Sequence, residues 1–452
     1  MTVRDRKVLV IGMGKSGLAA AKVLAAAGAE VVVSDAKVKE ELTAALQELK
    51  DWPVETVTGG YPEIKPGRFD LLVTSPGVPV WAPPLVQAST HGIPIWSEIE
   101  LAYRFARGPM VAVTGTNGKT TTTALIGQMF RDAGYAASVA GNIGTPLIQE
   151  VAQQAGEHLF VVEVSSFQLE WVDRFHPRVA VLTNLTPDHL ERHGTMENYL
   201  ATKARIFRRQ NREDYTVLNY DDPEIRELAR QTQGQVIFFS SSHTLEKGVF
   251  ANKGNICIGQ EGNLIPVCAA QELTMPGRHN LENAMAAVAV GWAMGLTAAQ
   301  MADTLRSFPG VPHRLERVAF IKGVEYINDS KGTNPESAIK ALDAFQKPII
   351  LIAGGSRKGD VDFGAFAEKI QEKVRELILV GHTAPEIKET VLKTGFCRVR
   401  VVHNLEEAVK TAAGLAKPGE IVLLSPACAS FDFFRNFEHR GEVFKKLVHS
   451  LV

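Results

Sequence analysis

The chain is short of the features that mark special environments. Its 452 residues hold four cysteines, Cys257, Cys268, Cys397 and Cys428. None stands at C-x-x-C or C-x₂₋₄-C spacing, which argues against a zinc site or a disulfide framework; reduced, buried thiols in a cytosolic protein are expected. Neither sign of charge is in excess: 49 Lys and Arg face 50 Asp and Glu, a formal net charge of −1. Such a balance gives no pull toward nucleic acid or an anionic membrane, so an anionic ligand needs a local site. Long hydrophobic runs are missing too. The longest uncharged apolar stretch, residues 283–299, is alanine-rich. It fits a buried helix better than the ~20-residue span a bilayer requires. Lys15 soon interrupts the apolar run that follows Lys7, so no signal peptide is expected. No fixed-period repeat and no low-complexity segment occurs.

What is present is an ordinary globular composition, 45% hydrophobic and 22% charged. The length implies two to four domains of ~100–200 residues each. Strand-like and helix-like segments alternate. "KVLVIGMG", "AEVVVSD", "FDLLVTSPGV" and "IPIWSEIE" read as strands, with "SGLAAAKVLAAAG" as a helix after the first. A second strand-loop-helix begins at Met110 and continues through "HLFVVEVSS", "PRVAVLTNL" and "YTVLNYDD". A third begins near Val311 with "VEYINDS", "KPIILIAGGS", "ELILVGH" and "EIVLLSPACAS". This alternation predicts an α/β protein of parallel sheets covered by helices. Pro- and Gly-bearing junctions at residues 106–110 and 308–314 suit domain boundaries.

Gly12-Met-Gly14-Lys-Ser-Gly17 is a G-x-G-x-x-G between a strand and a helix, and Asp35 ends the next strand. Glycines there let backbone amides approach a diphosphate at a helix N-terminus, and the acid can bind a hydroxyl. A nicotinamide cofactor and a UDP-linked molecule both offer those groups. The competing reading is that the glycines only pack helix on strand.

A sharper signal is "VAVTGTNGKTTTTALIG", residues 111–127. It ends as a phosphate loop does, in Gly118-Lys119-Thr120, but Gly115 stands two positions closer to the lysine than G-x-x-x-x-G-K-[ST] demands. Lys119 can reach β/γ phosphates, and the Thr120 hydroxyl can ligate Mg²⁺. Glu163, at the end of an apolar strand, belongs at the carboxyl edge of the sheet and could hold Mg²⁺; alone it could equally cap a helix. His189 is by itself a metal ligand or a solvent-exposed histidine. Lys203 stands near Arg205, Arg208 and Arg209, a pattern that usually marks a solvated basic face.

Together these segments resemble the Mur ligases, the ATP-dependent amide-forming family of bacterial cell-wall synthesis. "TGTNGKTTT", "GNIGTPL", "VVEVSSFQL", "TNLTPDHLERHG", "GRHNLENAMAA", "PHRLE", "NDSKGTNP" and "LSPACASFDFFRNFEHRGEVF" follow the family order across essentially the whole chain. The last of these, with the compact N-terminal segments, resembles the branch that adds D-glutamate to UDP-N-acetylmuramoyl-L-alanine; the D-N-P-R motif of diamino-acid-adding relatives is missing.

The resemblance implies three domains. These are a Rossmann-like UDP-binding domain over residues 1–97, a central P-loop ATPase-like parallel-sheet domain over 98–311, and a Rossmann-like amino-acid domain over 312–452. ATP would bind at Gly115, Thr116, Asn117, Gly118, Lys119, Thr120 and Thr121, with Asn280 and Asn283 facing the adenine. Arg314 would contact phosphate and Asp329 ribose, with Lys331 in the same loop. Gly14, Lys15, Ser16, Asp35, Ser75, Asn142 and His189 would receive the UDP substrate. Ala36 stands where the family often has Thr, so one hydroxyl contact is expected to be missing. Thr333, Lys358 rather than Arg357, Ser430 and the backbone of Phe437 would take D-glutamate. Lys119, Glu163, His189 and Lys203 would be catalytic. Two Mg²⁺ ions are implied, held by Thr120, Glu163, His189 and a carbamylated Lys203. A cytoplasmic monomer is expected. A nicotinamide dehydrogenase leaves Lys119 and the C-terminal motifs without a role, and a regulatory protein that has lost ligase chemistry sits poorly with intact Lys119, Glu163, His189 and Lys203.

Overall fold

The computed structural model describes all residues except 1–2, 155, 276, 358–360 and 452. The chain forms three α/β sheets. The first has five strands, all parallel, in the order Val54–Thr58, Glu30–Asp35, Lys7–Ile11, Leu71–Thr74, Ile95–Ser97. Lys7–Ile11 is flanked by Glu30–Asp35 on one side and Leu71–Thr74 on the other, so the chain builds the sheet outward from it first in one direction and then in the other. The order therefore reverses at its carboxyl end, where open α/β sheets bind ligands. The apolar strand residues are buried because helices cover both faces, chief among them Lys15–Ala26.

Five strands of the nine-stranded second sheet form its parallel core. Their order is Tyr215–Asn219, Val179–Leu182, Met110–Thr114, Leu159–Glu163, Ala137–Gly141. Gln235–Ser240 and Gly248–Asn252 extend it in parallel, and then Asn255–Gln260 and Asn263–Ala269 run antiparallel. The antiparallel end departs from the all-parallel expectation. The third sheet is parallel except for its edge strand Glu316–Ile321, which runs antiparallel to Val324–Asn328.

The first two sheets lie in one compact unit, which includes residues up to Glu272 and Leu281–Phe308; the third lies in a second, made of Leu273–Asn280 and the residues from Pro309 onward. One sequence segment folds otherwise than expected. "IPIWSEIE" is strand only over Ile95–Ser97, and Glu98–Phe105 is helix, because the Ser97 side chain accepts the Glu100 amide and caps it. The apolar stretch 283–299 is buried helix only in its first part: Arg278–Ala293 is helical with Ala284–Val290 buried, the chain turns at Gly295, and a second helix starts at Ala298. Among the described residues no helix is long and apolar enough to cross a membrane. All four cysteines are free; Cys257, Cys268 and Cys428 are buried, but Cys397 is exposed, contrary to expectation.

Candidate active site

In the first sheet the glycine motif makes the turn into Lys15–Ala26. A Cβ at Gly17 would lie 1.8 Å from the Gly12 carbonyl oxygen, so helix and turn approach only because no side chain intervenes. The Ser75 hydroxyl donates to that carbonyl at 3.3 Å. Asp35 sits beside the turn, accepting the Met13 amide on one oxygen and the Lys37 amide on the other. Gly14 and Lys15 are exposed and Ser16 half-buried at the start of the helix, where first-turn amides favour an anion.

The strand Met110–Thr114 runs into the loop Gly115–Gly118 and then the helix Lys119–Asp132. Both glycines have positive φ. A Cβ would meet the Thr183 hydroxyl at Gly115 and the Asn283 Oδ1 at Gly118. The loop is clamped from the neighbouring strand. Asn184 Oδ1 accepts the Asn117 amide, the Thr183 hydroxyl donates to the Asn117 carbonyl at 2.6 Å, and the Thr116 hydroxyl donates to the Thr186 carbonyl. Lys119 Nζ curls over the loop and donates to the Gly115 and Thr116 carbonyls at 2.9 and 2.8 Å. Thr120 is half-buried in the first turn and Thr121 is buried. Asn283 accepts the Thr122 hydroxyl on its Oδ1.

Glu163 lies one strand away, in register with Val113. The Asn142 side chain donates to Glu163 Oε1 at 2.8 Å, and the Asn142 amide donates to the Glu163 carbonyl. Gly141 has no room for a Cβ, which would approach that carbonyl to 2.4 Å. Glu163 Oε2 is buried without a hydrogen-bond partner. A buried carboxylate oxygen left so is costly, and a hard cation satisfies it. The Thr120 hydroxyl, in the first turn of the helix after the loop, and this carboxylate are both oxygen ligands of the kind Mg²⁺ takes. Among the described residues no three His, Cys, Asp or Glu side chains cluster to hold a metal by themselves. Water and phosphate oxygens would complete the shell.

His189 has φ +54° at the start of the short helix Leu190–His193. Its side chain is 41% exposed, within 3.5 Å of Asp188 and 3.4 Å of Glu191. Lys203 is not on a solvated face. It is 1% exposed, its Nζ donates to the Gly115 carbonyl at 2.8 Å, and it lies 4.4 Å from the centre of the Tyr199 ring. Burial, and then the Lys119 charge, press its ammonium well below the ordinary lysine range. The structure thus brings Lys119, Thr120, Asn142, Glu163 and Lys203 around one loop.

In the second unit Asp329 is buried. It accepts the Ser425 hydroxyl at 2.7 Å and the Leu315 amide at 3.3 Å. Burial raises its pKa to about 6 against the opposing pull of Arg314. Lys331 Nζ lies over the Phe437 ring. Thr333 lines a small cavity of about 70 Å³ with Ser356, Arg357, Ala427 and Cys428. Ser430 is buried, and the Phe437 carbonyl accepts the Ser330 hydroxyl. Asn280 is also buried in this unit. Lys358 lies outside the described residues.

The sequence reading passed over Arg440, within the quoted "FRNFEHRG". Its buried guanidinium donates to the Ser330, Cys428 and Ala429 carbonyls and the Ser330 hydroxyl, tying together the two loops that carry Thr333 and Ser430. Nothing in the sequence singles it out among the 49 Lys and Arg, because its burial comes from the fold.

Three family models match the chain: "Mur ligase MurD-like, N-terminal domain" over residues 6–97, "Mur ligase middle domain" over 113–291, and "Mur ligase, glutamate ligase domain" over 313–428. A UDP-N-acetylmuramoylalanine–D-glutamate ligase of Pelotomaculum thermopropionicum is 51% identical over 446 residues, covering 99% of this chain and 98% of that protein. One of the same name from Alkaliphilus metalliredigens is 48% identical, covering 100% and 99%. Among solved structures, UDP-N-acetylmuramate-alanine ligase from Thermotoga maritima superposes with a TM-score of 0.61 at 21% identity, covering 99% of this chain and 100% of that one. A pseudomurein peptide ligase type C from Methanothermus fervidus gives 0.59 at 17%, with the same coverage. At those identities the structures speak for the fold alone.

Proposed function

The chain belongs to the Mur ligase family, and we propose that it joins D-glutamate to UDP-N-acetylmuramoyl-L-alanine, converting ATP to ADP and phosphate. Full-length relatives that carry this name support the reading. The observation that carries it is the lysine-bearing phosphate loop set one strand from Glu163 Oε2, a buried oxygen without a partner.

The chemistry accounts for the residue types. The substrate carboxylate attacks the γ-phosphorus, the bond to the bridging β-γ oxygen breaks, and ADP leaves. The D-glutamate amine then attacks the acyl carbon, releasing phosphate and losing a proton as the amide forms. Carboxylate and phosphoryl group are both anionic, so cations must bring them together. Loop amides from Gly115 to Thr121 and Lys119 hold the phosphates of ATP, with Asn280, Asn283, Arg314, Asp329 and Lys331 toward the nucleoside and its phosphates. Gly14, Lys15, Ser16, Asp35 and Ser75 hold the UDP end, and Asn142 and His189 the reacting end. Thr333, Lys358, Ser430 and the Phe437 backbone orient D-glutamate. Thr120, Glu163, His189 and Lys203 would hold two Mg²⁺ ions, which would supply neutralisation of the phosphate charge. Lys203 serves as a carbamate: its neutral amine adds to CO₂, forming an N–C bond and releasing a proton.

On this reading residues 1–97, 98–311 and 312–452 receive UDP, ATP and D-glutamate respectively, in a cytoplasmic monomer. The test is ADP release with each substrate omitted in turn, and product mass with competing amino acids present. Turnover should need all three substrates and add one D-glutamate. ATP turnover indifferent to D-glutamate, preferential incorporation of another amino acid, or substrate-dependent NAD(H) absorbance change would overturn it.

A further inference from the structure

Arg192 lies three residues after His189, on the short helix Leu190–His193. Its side chain is 9% exposed. All three guanidinium nitrogens are engaged. Nε donates to Glu170 Oε1 at 2.9 Å and Nη2 donates to Glu170 Oε2, a two-point pair. Nη1 donates to the Pro76 carbonyl at 3.0 Å, and Nη2 also donates to the Val78 carbonyl at 2.9 Å. The guanidinium carbon lies 4.1 Å from the centre of the Phe167 ring, which in turn packs 4.7 Å from the His189 ring. Arg205 fixes the Glu170 backbone, donating to its carbonyl at 2.6 Å.

Pro76 and Val78 belong to the loop that follows Leu71–Thr74 in the first sheet. The near side of this loop faces the glycine turn through the Ser75 hydroxyl and Gly12 carbonyl. One side chain on the helix that His189 leads into thus holds two carbonyls of a loop from the first sheet. A lysine could match the charge but neither the fork nor the flat face.

We propose that Arg192 is a positioning residue that sets the span between the UDP-side loop Ser75–Val78 and His189. This rests on the functional reading above, in which one substrate bridges those two places, its UDP at one end and its reacting carboxylate at the other. Misplacement of that carboxylate by an ångström costs alignment for attack rather than affinity for ATP.

The test is Arg192→Lys, with Arg192→Ala beside it. Hydrogen exchange reads the strap without any substrate. In Arg192→Lys the Val78 amide, which donates to the Ser75 carbonyl, should exchange at least tenfold faster, while those of Leu71–Thr74 keep wild-type protection. In turnover, KM for UDP-N-acetylmuramoyl-L-alanine should rise at least fivefold and kcat fall at least tenfold, with KM for ATP within twofold. Unchanged loop exchange overturns the proposal. So do wild-type constants in Arg192→Lys, or a KM for ATP that rises in step with the other. Failure of the functional reading shows separately, as wild-type protein without D-glutamate-dependent turnover. If Arg192→Ala does not fold, the lysine variant carries the test.

Discussion

Lys119 and Lys203 aim their ammonium groups at one oxygen. The two Nζ atoms lie 2.9 and 2.8 Å from the Gly115 carbonyl, one reaching from the phosphate loop and the other from a helix 84 residues later. Two cations cannot share a buried acceptor without cost. Lys203, the more deeply buried, yields, and its pKa falls through desolvation first and the Lys119 charge second.

A lysine so placed gives up its proton more readily than a free one, and the neutral amine is the form that adds to CO₂. Lys203→Ala is expected to lose most activity and regain part of it with added formate or acetate. Lys203→Arg keeps the charge but forms no carbamate, and should be equally impaired. Full turnover by the arginine variant would return Lys203 to a simple electrostatic role.

Lys119 should be needed for the first chemical step itself. Lys119→Ala removes the loop cation proposed to meet the transferring group, and the loss should be ~3 kcal/mol or more in the transition state, ~100-fold in rate. Single-turnover ADP formation measures it. Near-normal ADP production would place the phosphates elsewhere.

On the proposed function, Glu163 is expected to trade stability for function. Asn142 donates to its Oε1, but its Oε2 is buried without a partner, so Glu163→Gln removes a charge that the fold satisfies only in part. Thermal melts of ligand-free protein should show no loss of stability. Turnover should fall ~100-fold or more and demand more Mg²⁺. A melting temperature lowered by several degrees, with Mg²⁺ dependence unchanged, would make Glu163 a structural acid.

Lys358 is expected to pair with a carboxylate of D-glutamate. Charged hydrogen bonds contribute ~1.5–3 kcal/mol, so Lys358→Ala should raise KM for D-glutamate ~10–100-fold and leave that for ATP nearly unchanged. Equal KM values for D-glutamate in variant and wild type would move the amino-acid pocket.

Glu98 gives the fold a pH dependence. It is fully buried, accepts the Ile148 amide at 2.6 Å, and burial lifts its pKa to about 7 from 4.5. Because the folded pKa is raised, the folded state holds the proton that the unfolded state releases between pH 4.5 and about 7. Stability contributed by this group is therefore present below that window and lost as pH rises through it, by roughly 3 kcal/mol at 1.36 kcal/mol per unit. Denaturant melts from pH 4.5 to 8 should show a slope that Glu98→Gln flattens. Identical slopes in the two proteins would remove Glu98 as its source.

Much of the fold could be read from apolar runs that end in glycine, as in "KVLVIGMG" and "MVAVTG", because a strand entering a tight turn leaves that mark. Over eight residues, "IPIWSEIE" suits a strand as well as a helix. The deciding contact, Ser97 to the Glu100 amide, is a cap rather than a pattern. At the site, residues on consecutive sheet edges were legible by position, Lys119 and Glu163 among them. Lys203 was harder. Exposed Arg208 and Arg209 surround it in sequence, and its burial comes from the Gly115 loop and Tyr199. Arg192 and Arg440 each have partners over a hundred positions away, at Pro76 and Ser330, and no local spacing announces such pairs.

The uneven exposure of the four thiols has a practical side. Cys397 alone is exposed, while Cys257, Cys268 and Cys428 are packed away. A maleimide dye should therefore couple once to native enzyme and four times to unfolded chain, with no cysteine engineered in or out. The rate at which the three latent sulfurs become reactive gauges how often the second and third sheets open.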